Sequence, residues 1–288
     1  MNVKISVTQV CDYECPRKIP LTIYSTKVGF KKKFDLNAKA FAGNILHFVL
    51  QETFIRKFSY VEYFFPREKS AVEAIYCAFD VILKNLVDFY SLEPYFNKNQ
   101  EIIDEGFKIA EEKLWNLANL STTLIEEKND RIISKVLKDE FSVFSMLNKN
   151  VLLTGKVDLI AIEKDHLRII ELKTGNIYEK DRNQSQIYGE LMKQSFPTQQ
   201  FKLEIWYTDP DRSSWQIVPV TISDHSNLLK NVNTQIDIAS SIETESSLPP
   251  KTSQTFRCRF CKLCFESNLR QIFPSAADKK TQKLGNFF

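Results

Sequence analysis

Glycine is scarce in this sequence, which has only seven among its 288 residues. No glycine-rich loop of the kind that cradles phosphates is present, and this disfavours nucleotide hydrolysis. Long apolar runs are also missing, since no stretch approaches the ~20 residues of a membrane-spanning helix. The first residues, Met1 to Ser6, lack the apolar segment of a signal peptide. We therefore expect a cytoplasmic protein with no membrane partner.

The sequence also lacks a large excess of charge of one sign, because it has 39 basic and 36 acidic residues. A surface for nucleic acid would have to come from local clustering of basic side chains. The chain is 43% hydrophobic and 26% charged, as ordinary globular proteins are. It can bury a sizeable core in one large domain or two small ones.

The pattern of apolar residues divides the chain into two kinds of structure. Helical spacing dominates the first half, and short runs rich in Val, Ile and Phe follow. Helices are predicted at 37–58, 68–92, 100–119, 121–138, 181–195 and 223–241, and strands at 140–147, 151–162, 167–173, 201–208 and 215–221. The polar stretch 243–254 is typical of a linker. The pattern indicates a mixed α/β core.

Two of the predicted strands carry acidic residues at positions that a hairpin would bring together. The polar tetrad 163–166 suits a hairpin turn. If it forms one, Asp158 lies across from Glu171, with their Cβ atoms about 5 Å apart. Lys173 shares a face with Glu171 because strand side chains repeat every two residues. Two carboxylates and an ammonium group therefore converge.

These acids lie within strands whose other residues are apolar on both faces, such as Val157, Leu159 and Ile170. Charged carboxylates are costly there unless another charge compensates them. A divalent cation would do so, and oxygen ligands favour Mg²⁺ or Mn²⁺. Such an ion can activate water for attack on a phosphodiester, and a lysine can orient that water or steady the developing charge. The alternative is a buried acid–lysine pair that serves structure alone.

The hairpin carries a resemblance to a known family. Gly155-x-Val157-Asp158 and Glu171-x-Lys173-Thr-Gly175 resemble the motifs of the PD-(D/E)XK nuclease superfamily, specifically its RecB-like branch. The resemblance implies an α/β fold with a mixed central sheet flanked by helices, a helical insertion and an iron-sulfur region formed by the termini. It also implies that Asp158 and Glu171 bind the metal and that Lys173 is catalytic.

Further motifs of that branch have counterparts here. Gln184 and Tyr188 match its Q-x-x-x-Y motif, whose spacing puts both side chains on one helix face, where they could contact the active site or the DNA backbone. His47 ends Gly43-Asn-Ile-Leu-His47, which resembles the branch's upstream histidine motif and implies a metal ligand. Glu140 resembles an acidic position that precedes the Asp strand. Alone, each is more often a core or surface residue.

Six cysteines, in what we expect to be a reducing compartment, favour metal ligation or buried thiols over disulfides. Cys258, Cys261 and Cys264 lie within seven residues and can surround one soft metal centre, so a fourth ligand is needed. Cys15 opens Cys-Pro-Arg-Lys, a segment that resembles RecB-like nucleases holding a [4Fe-4S] cluster.

The cysteine spacing departs from the pattern of those nucleases, because Ser267 stands where the third of the closely spaced cysteines is usual. Cys11 could replace Cys15 as the fourth ligand. A zinc site with four thiolate ligands remains open, since thiolates suit both metals.

The resemblance extends from Cys15 to Cys264 and predicts one nuclease domain over residues 1–270. Within it we expect a helical part at about 37–138, a catalytic core at about 139–222, and a C-terminal helix with the cysteines at 223–270. Residues 271–288 are expected to form a flexible tail, whose end resembles a sliding-clamp-binding peptide. A disordered tail with two chance phenylalanines is the alternative.

Together these patterns predict a Mg²⁺- or Mn²⁺-dependent DNA nuclease, acting as an exonuclease on single strands or DNA ends. The resemblance implies a setting in CRISPR adaptation, an antiviral defence, or in DNA repair and recombination, with proteins of those pathways as partners. Two rivals remain. One is a non-catalytic DNA-binding or assembly subunit of a nuclease complex, and the other is a restriction-type endonuclease.

Overall fold

A computed structural model describes residues 3–11, 17–28, 37–68, 70–92, 99–129, 131–148, 151–208, 214–221, 226–243 and 247–248. The chain divides into two compact units. The smaller consists of Met1–Phe34, Phe144–Gly155 and Ser223–Phe288, and the larger of Asp35–Val143 and Lys156–Ile222. Asp158, Glu171 and Lys173 all lie in the larger unit.

After one short strand, the first half of the described chain is helical, and most of the strands lie in the second half. The helices are α1 (Val7–Val10), α2 (Lys18–Lys27), α3 (Ala38–Gln51), α4 (Phe58–Phe64), α5 (Ala71–Leu92), α6 (Gln100–Ser121), α7 (Glu179–Ser195) and α8 (Ser226–Ser240). The strands are β1 (Val3–Ser6), β2 (Ile125–Lys128), β3 (Arg131–Ser134), β4 (Val136–Asn148), β5 (Val151–Glu163), β6 (His166–Lys173), β7 (Phe201–Tyr207) and β8 (Gln216–Val220). A π-helical turn, Glu52–Arg56, separates α3 from α4. No helix in the described part of the chain is long and apolar enough to span a membrane.

The sheet of the larger unit is mixed, as the sequence predicts. Its strands follow the order β5, β6, β7, β8, with β4 also paired to β5. The pair β5–β6 is antiparallel, β6–β7 is parallel and β7–β8 is antiparallel. Five consecutive residues of β6 are buried, as expected of a central strand covered on both faces. In the smaller unit, β1 runs parallel to the first residues of β5.

The core of the larger unit joins its helices to this sheet. Leu46 of α3, Phe79 of α5 and Leu114 of α6 belong to one buried cluster with Leu159 of β5 and Trp206 of β7. Complete burial of such a side chain contributes about 1.5–3 kcal/mol to folding. The cluster thereby holds α3 against the strands that carry the acidic residues.

The main difference from the sequence-based expectation concerns residues 121–138, for which a helix was predicted. They form the last residue of α6, a 3₁₀ turn, the antiparallel pair β2–β3 and the start of β4. Asn129 lies between β2 and β3 with φ 51°, a left-handed conformation that asparagine tolerates and that tight hairpin turns require. Ile125 and Ile132 are buried while their strand neighbours are mostly exposed. The helix prediction is wrong there because the turn at Asn129 was not recognised.

Candidate active site

The hairpin of β5 and β6 forms in the predicted register. Glu163 pairs with His166, and Leu159 pairs with Ile170, so Asp158 and Glu171 occupy the next positions on the two strands. The turn itself is tighter than expected, because both strands extend into the polar tetrad. The backbone N–H of Leu172 donates to Asp158 Oδ2 at 2.8 Å, which ties the carboxylate of one strand to the backbone of the other.

Lys173 and Glu171 project from the same face of β6 and contact each other. Lys173 Nζ lies 2.6 Å from Glu171 Oε1 and also donates to Gln184 Oε1 at 3.1 Å. Gln184 Nε2 donates to Glu171 Oε1 at 2.7 Å and to the Tyr188 hydroxyl at 3.2 Å. The helix α7 thus presents Gln184 and Tyr188 from one face, four residues apart, as their spacing predicts. Both side chains are buried in this network.

His47 reaches the site from α3. Its Nδ1 lies 3.4 Å from Asp158 Oδ1. Burial alone would lower the pKa of His47, but the Asp158 carboxylate beside it outweighs burial and the net pKa is raised. Earlier on the same helix, a Cβ added to Gly43 would lie 3.1 Å from Thr174 Oγ1. The missing side chain of Gly43 therefore allows α3 to approach the segment that follows β6 closely.

The two carboxylates differ in protonation. Burial would raise the pKa of Asp158, but the neighbouring His47, the Leu172 N–H and Lys173 lower it below its ordinary value. Burial and the Asp158 charge raise the pKa of Glu171 to about 7, against the opposing effect of Lys173. Near neutral pH, Asp158 is thus ionised and Glu171 is close to half protonated.

The residues present fit a divalent cation. Glu171 Oε2 is buried and has no hydrogen-bond partner, although a buried carboxylate oxygen normally has one. Across the described ranges, no three His, Cys, Asp or Glu side chains are grouped closely enough to hold a metal by themselves. Mg²⁺, however, is usually bound through one or two carboxylates, with water and substrate phosphates completing its coordination. Asp158 and Glu171 meet that smaller requirement.

The raised pKa of Glu171 predicts how stability depends on pH. Because the folded-state pKa, about 7, exceeds the ordinary value of 4.5, protonated Glu171 stabilises the fold fully below pH 4.5. That stability is lost as the pH rises through about 7. Urea denaturation in EDTA measures this loss as a fall in the free energy of unfolding between pH 4.5 and about pH 7. We expect the fall to be roughly 3 kcal/mol larger in the wild type than in Glu171→Gln.

A cation that keeps Glu171 ionised should reverse this loss. We therefore expect Mg²⁺ or Mn²⁺ to raise Tm more at about pH 8 than at about pH 5.5, and to have little effect on Glu171→Gln. A metal-induced rise in Tm that is equal at both pH values, or that persists in Glu171→Gln, would show that the cation binds elsewhere.

Other residues singled out from the sequence have different outcomes. Glu140 is exposed, has φ 43° and pairs with Lys156 at 2.9 Å. Cys11 is buried, and its Sγ donates to the Thr8 carbonyl oxygen at 3.2 Å. The remaining predicted cluster ligands, Cys15, Cys258, Cys261 and Cys264, lie outside the described residues, as does the tail 271–288.

One acidic residue close to the site was missed by sequence reasoning. Asp181 is 4% exposed, and its Oδ2 accepts hydrogen bonds from the Tyr207 hydroxyl at 3.1 Å and from the Tyr178 N–H at 3.3 Å. Tyr207 stands opposite Lys173 in the β6–β7 register. An acid in the first turn of a helix is a recognisable start signal, but its burial and its tyrosine partner are not visible in the sequence.

Comparison with known proteins gives a family match over most of the chain. A family model described as the PD-(D/E)XK nuclease superfamily matches residues 4–264. No curated protein matches the chain. Among solved structures, one described as "Crystal structure of SSO0001" is 14% identical, with 85% of this chain and 92% of that chain covered at a TM-score of 0.33. That likeness is too weak to carry an argument, whereas the family match covers far more than half of the chain.

Proposed function

The chain belongs to the PD-(D/E)XK nuclease superfamily, and we propose that it is a DNA nuclease that hydrolyses phosphodiester bonds with Mg²⁺ or Mn²⁺. One observation carries this proposal. Asp158, Glu171 and Lys173 meet on adjacent strands, and a buried oxygen of Glu171 has no hydrogen-bond partner. A purely structural acid–lysine pair would not need a second carboxylate or leave that oxygen unsatisfied.

In this proposal, Asp158 and Glu171 hold the cation, and His47, which contacts Asp158, becomes a third ligand when the cation binds. When bound, the cation would polarise the phosphodiester and activate a water molecule for attack. His47 must give up its proton to become a ligand, because only neutral imidazole binds metal. The contact between His47 Nδ1 and Asp158 Oδ1 keeps the ring beside the carboxylate in the meantime.

Lys173 acts as a fixed positive charge in this mechanism. Burial would lower its pKa, but Glu171 and Asp158 raise it above its ordinary value, so the ammonium group stays protonated at neutral pH. It is therefore suited to orient the attacking water and to stabilise the charge that develops on the phosphate. Gln184 accepts a hydrogen bond from Lys173 and is itself held by Tyr188, which limits the positions the ammonium group can take.

For the substrate, we propose single-stranded DNA or DNA ends, cut exonucleolytically. The support is that two segments, one from Gln184 to Tyr188 and the other from Gly43 to His47, resemble motifs of the RecB-like branch. The same resemblance supports a role in CRISPR adaptation or in DNA repair and recombination, with proteins of those pathways as partners.

We also propose that Cys15, Cys258, Cys261 and Cys264 hold a [4Fe-4S] cluster, with a zinc ion as the alternative occupant. The support is their spacing and the Cys-Pro-Arg-Lys segment at Cys15. The contents of iron, acid-labile sulfide and zinc in the purified protein distinguish the two.

The proposal for the tail is that its final residues, with an aliphatic side chain three positions before two terminal phenylalanines, bind a sliding clamp.

The test of the proposed function is hydrolysis of end-labelled single- and double-stranded DNA in Mg²⁺, Mn²⁺ or EDTA. We expect metal-dependent cleavage by the wild type and a rate at least ~100-fold lower for Asp158→Asn, which keeps the side-chain shape but removes the ligand charge. The matched control is Asp165→Asn, an acid in the same hairpin whose side chain is 81% exposed. It should cleave like the wild type.

Each rival predicts a different result in this assay. Tight DNA binding without hydrolysis by folded, metal-loaded wild type would favour the non-catalytic subunit. Strict cleavage at one duplex sequence would favour a restriction-type endonuclease. Undiminished cleavage by Asp158→Asn would show that the hairpin is not the active site.

A further inference from the structure

The segment between β6 and α7 carries exposed side chains next to the catalytic strand. Tyr178 is 53% exposed and Ile177 is 39% exposed, although both are large and mainly apolar. Lys180 follows on the first turn of α7, with its Nζ 5.1 Å from the centre of the Tyr178 ring, and Arg182 is exposed one turn into the helix. An aromatic ring with neighbouring cations is the combination that binds unpaired nucleotides, by stacking on a base and contacting phosphates.

Both ends of this segment are held by hydrogen bonds. Lys113 Nζ donates to the Thr174 carbonyl oxygen at 2.6 Å. At the other end, the Tyr178 N–H donates to the buried carboxylate of Asp181, which also accepts from the Tyr207 hydroxyl. The backbone that carries the Tyr178 ring is thus tied to β7 beside the catalytic strand. With the backbone fixed, ligand binding has to order only the side-chain torsions of Tyr178, which lowers the entropy cost.

The position of Tyr178 limits what it can contact. Tyr178 follows Lys173 by five positions, and five Cα-to-Cα steps of extended chain span at most about 18 Å. The ring therefore lies within a few nucleotides of any phosphate held at Lys173. A base in duplex DNA is already stacked on its neighbours, so an aromatic side chain stacks readily only on an unpaired base.

We propose that Tyr178, with Lys180 beside it, is a stacking platform for an unpaired base near the scissile phosphate, and that it gives the enzyme a preference for single-stranded DNA. This inference rests on the proposed function for its active site. It assigns the choice of single strand over duplex to a particular side chain, outside the metal-binding and catalytic residues.

Fluorescence anisotropy tests the platform with labelled oligothymidylate as the single strand and a blunt-ended duplex of two complementary strands as the duplex. Binding is measured with Mg²⁺ in the Lys173→Met background, so that the DNA stays intact. Tyr178→Ala should weaken binding of the single strand roughly 5- to 100-fold, the range of one lost base–aromatic stack, and should change duplex binding about twofold at most. Tyr178→Phe, which keeps the ring, should bind the single strand nearly as tightly as the parent.

A matched control is available on α4. Tyr63 is 55% exposed, and its ring also has a cation above it, the Arg67 guanidinium carbon at 3.8 Å from the ring centre. Tyr63→Ala should leave single-strand binding unchanged. Equal losses in the two alanine variants would overturn the platform, because any exposed tyrosine would then have the same effect.

The two proposals fail in different ways. If wild type cleaves DNA but Tyr178→Ala binds single strand as the parent does, the platform is wrong and the nuclease stands. If Tyr178→Ala loses single-strand binding while wild type hydrolyses no DNA under any metal condition, the platform stands and the nuclease proposal fails.

Discussion

Replacing Lys173 by Met is expected to lower the rate of DNA cleavage by about 10²–10³-fold, the usual cost of removing one charge-stabilising donor from an active site. Met keeps the length of the side chain and removes the ammonium group that contacts Glu171 and Gln184. The fold should survive, because Glu171 has a pKa of about 7 and can become neutral by binding a proton. The measurement is kcat on end-labelled DNA at saturating Mn²⁺, with thermal unfolding as the check on folding.

The pH dependence of the residual activity gives a second readout of the same variant. The Lys173 ammonium group lowers the pKa of Glu171, so its removal should raise that pKa further. In Lys173→Met, a higher pH is then needed to ionise Glu171. The residual cleavage should therefore reach its maximum at higher pH than in the wild type. An unchanged pH profile would show that ionisation of Glu171 does not limit cleavage, and the loss of rate remains the test of a catalytic role for Lys173.

The control for this prediction is Lys156→Met, an exposed lysine on β5 that pairs with Glu140 at 2.9 Å. It should retain the wild-type rate within about twofold, in line with the small effects of surface substitutions. If Lys173→Met retained a comparable rate, Lys173 would be only the structural partner of Glu171.

The second large effect concerns stability and lies at a different place on the sheet. Arg168 of β6 and Glu204 of β7 form a buried pair, with Nη2 and Oε2 2.6 Å apart and side chains only 6% and 3% exposed. The same Glu204 oxygen accepts from Trp206 Nε1, and Arg168 donates to the carbonyl and hydroxyl oxygens of Thr123. Burial would raise the pKa of Glu204, but Arg168 holds it below its ordinary value. Arg168 and Glu204 are therefore both charged, and both make hydrogen bonds to further residues.

Arg168→Met should lower the free energy of unfolding by about 3–5 kcal/mol, because it leaves the charge of Glu204 buried without its main partner. Urea denaturation at neutral pH measures this loss. Replacing both members, as in Arg168→Met with Glu204→Leu, should recover a large part of it, since no buried charge then remains unpaired. Lys202, which also contacts Glu204 at 3.0 Å, is 53% exposed and stays hydrated.

The expected loss of stability is caused by the burial of the pair and not by the short distance between its atoms. An exposed ion pair on α5 with the same distance serves as the control. Lys84 and Asp80 are also 2.6 Å apart, but the lysine side chain is 72% exposed. Lys84→Met should leave the unfolding midpoint unchanged within error, since surface pairs contribute little. Equal losses in Arg168→Met and Lys84→Met would contradict the prediction.

The local features of the site follow from the sequence alone. The polar tetrad between two apolar runs sets the β5–β6 register, and this register places Asp158 beside Glu171. Likewise, the four-residue spacing of Gln184 and Tyr188 puts them on one face of α7. These arrangements depend on backbone periodicity within a short segment, which the order of residues determines directly. The error at 121–138 has the same local origin, because Asn129 was not recognised as a turn residue.

The tertiary structure alone decided the contacts between distant segments and the electrostatics that result. His47 meets Asp158, and Asp181 meets Tyr207, only because separate helices pack against the sheet. The pKa of Glu171, about 7, depends on its burial and on every nearby charge at once. Desolvation and Coulomb energies are set by distances through space and by the exclusion of water, and neither is a property of position along the chain. The sequence by itself thus determined which groups are available for the proposed chemistry, and the packing decided how those groups are charged and oriented.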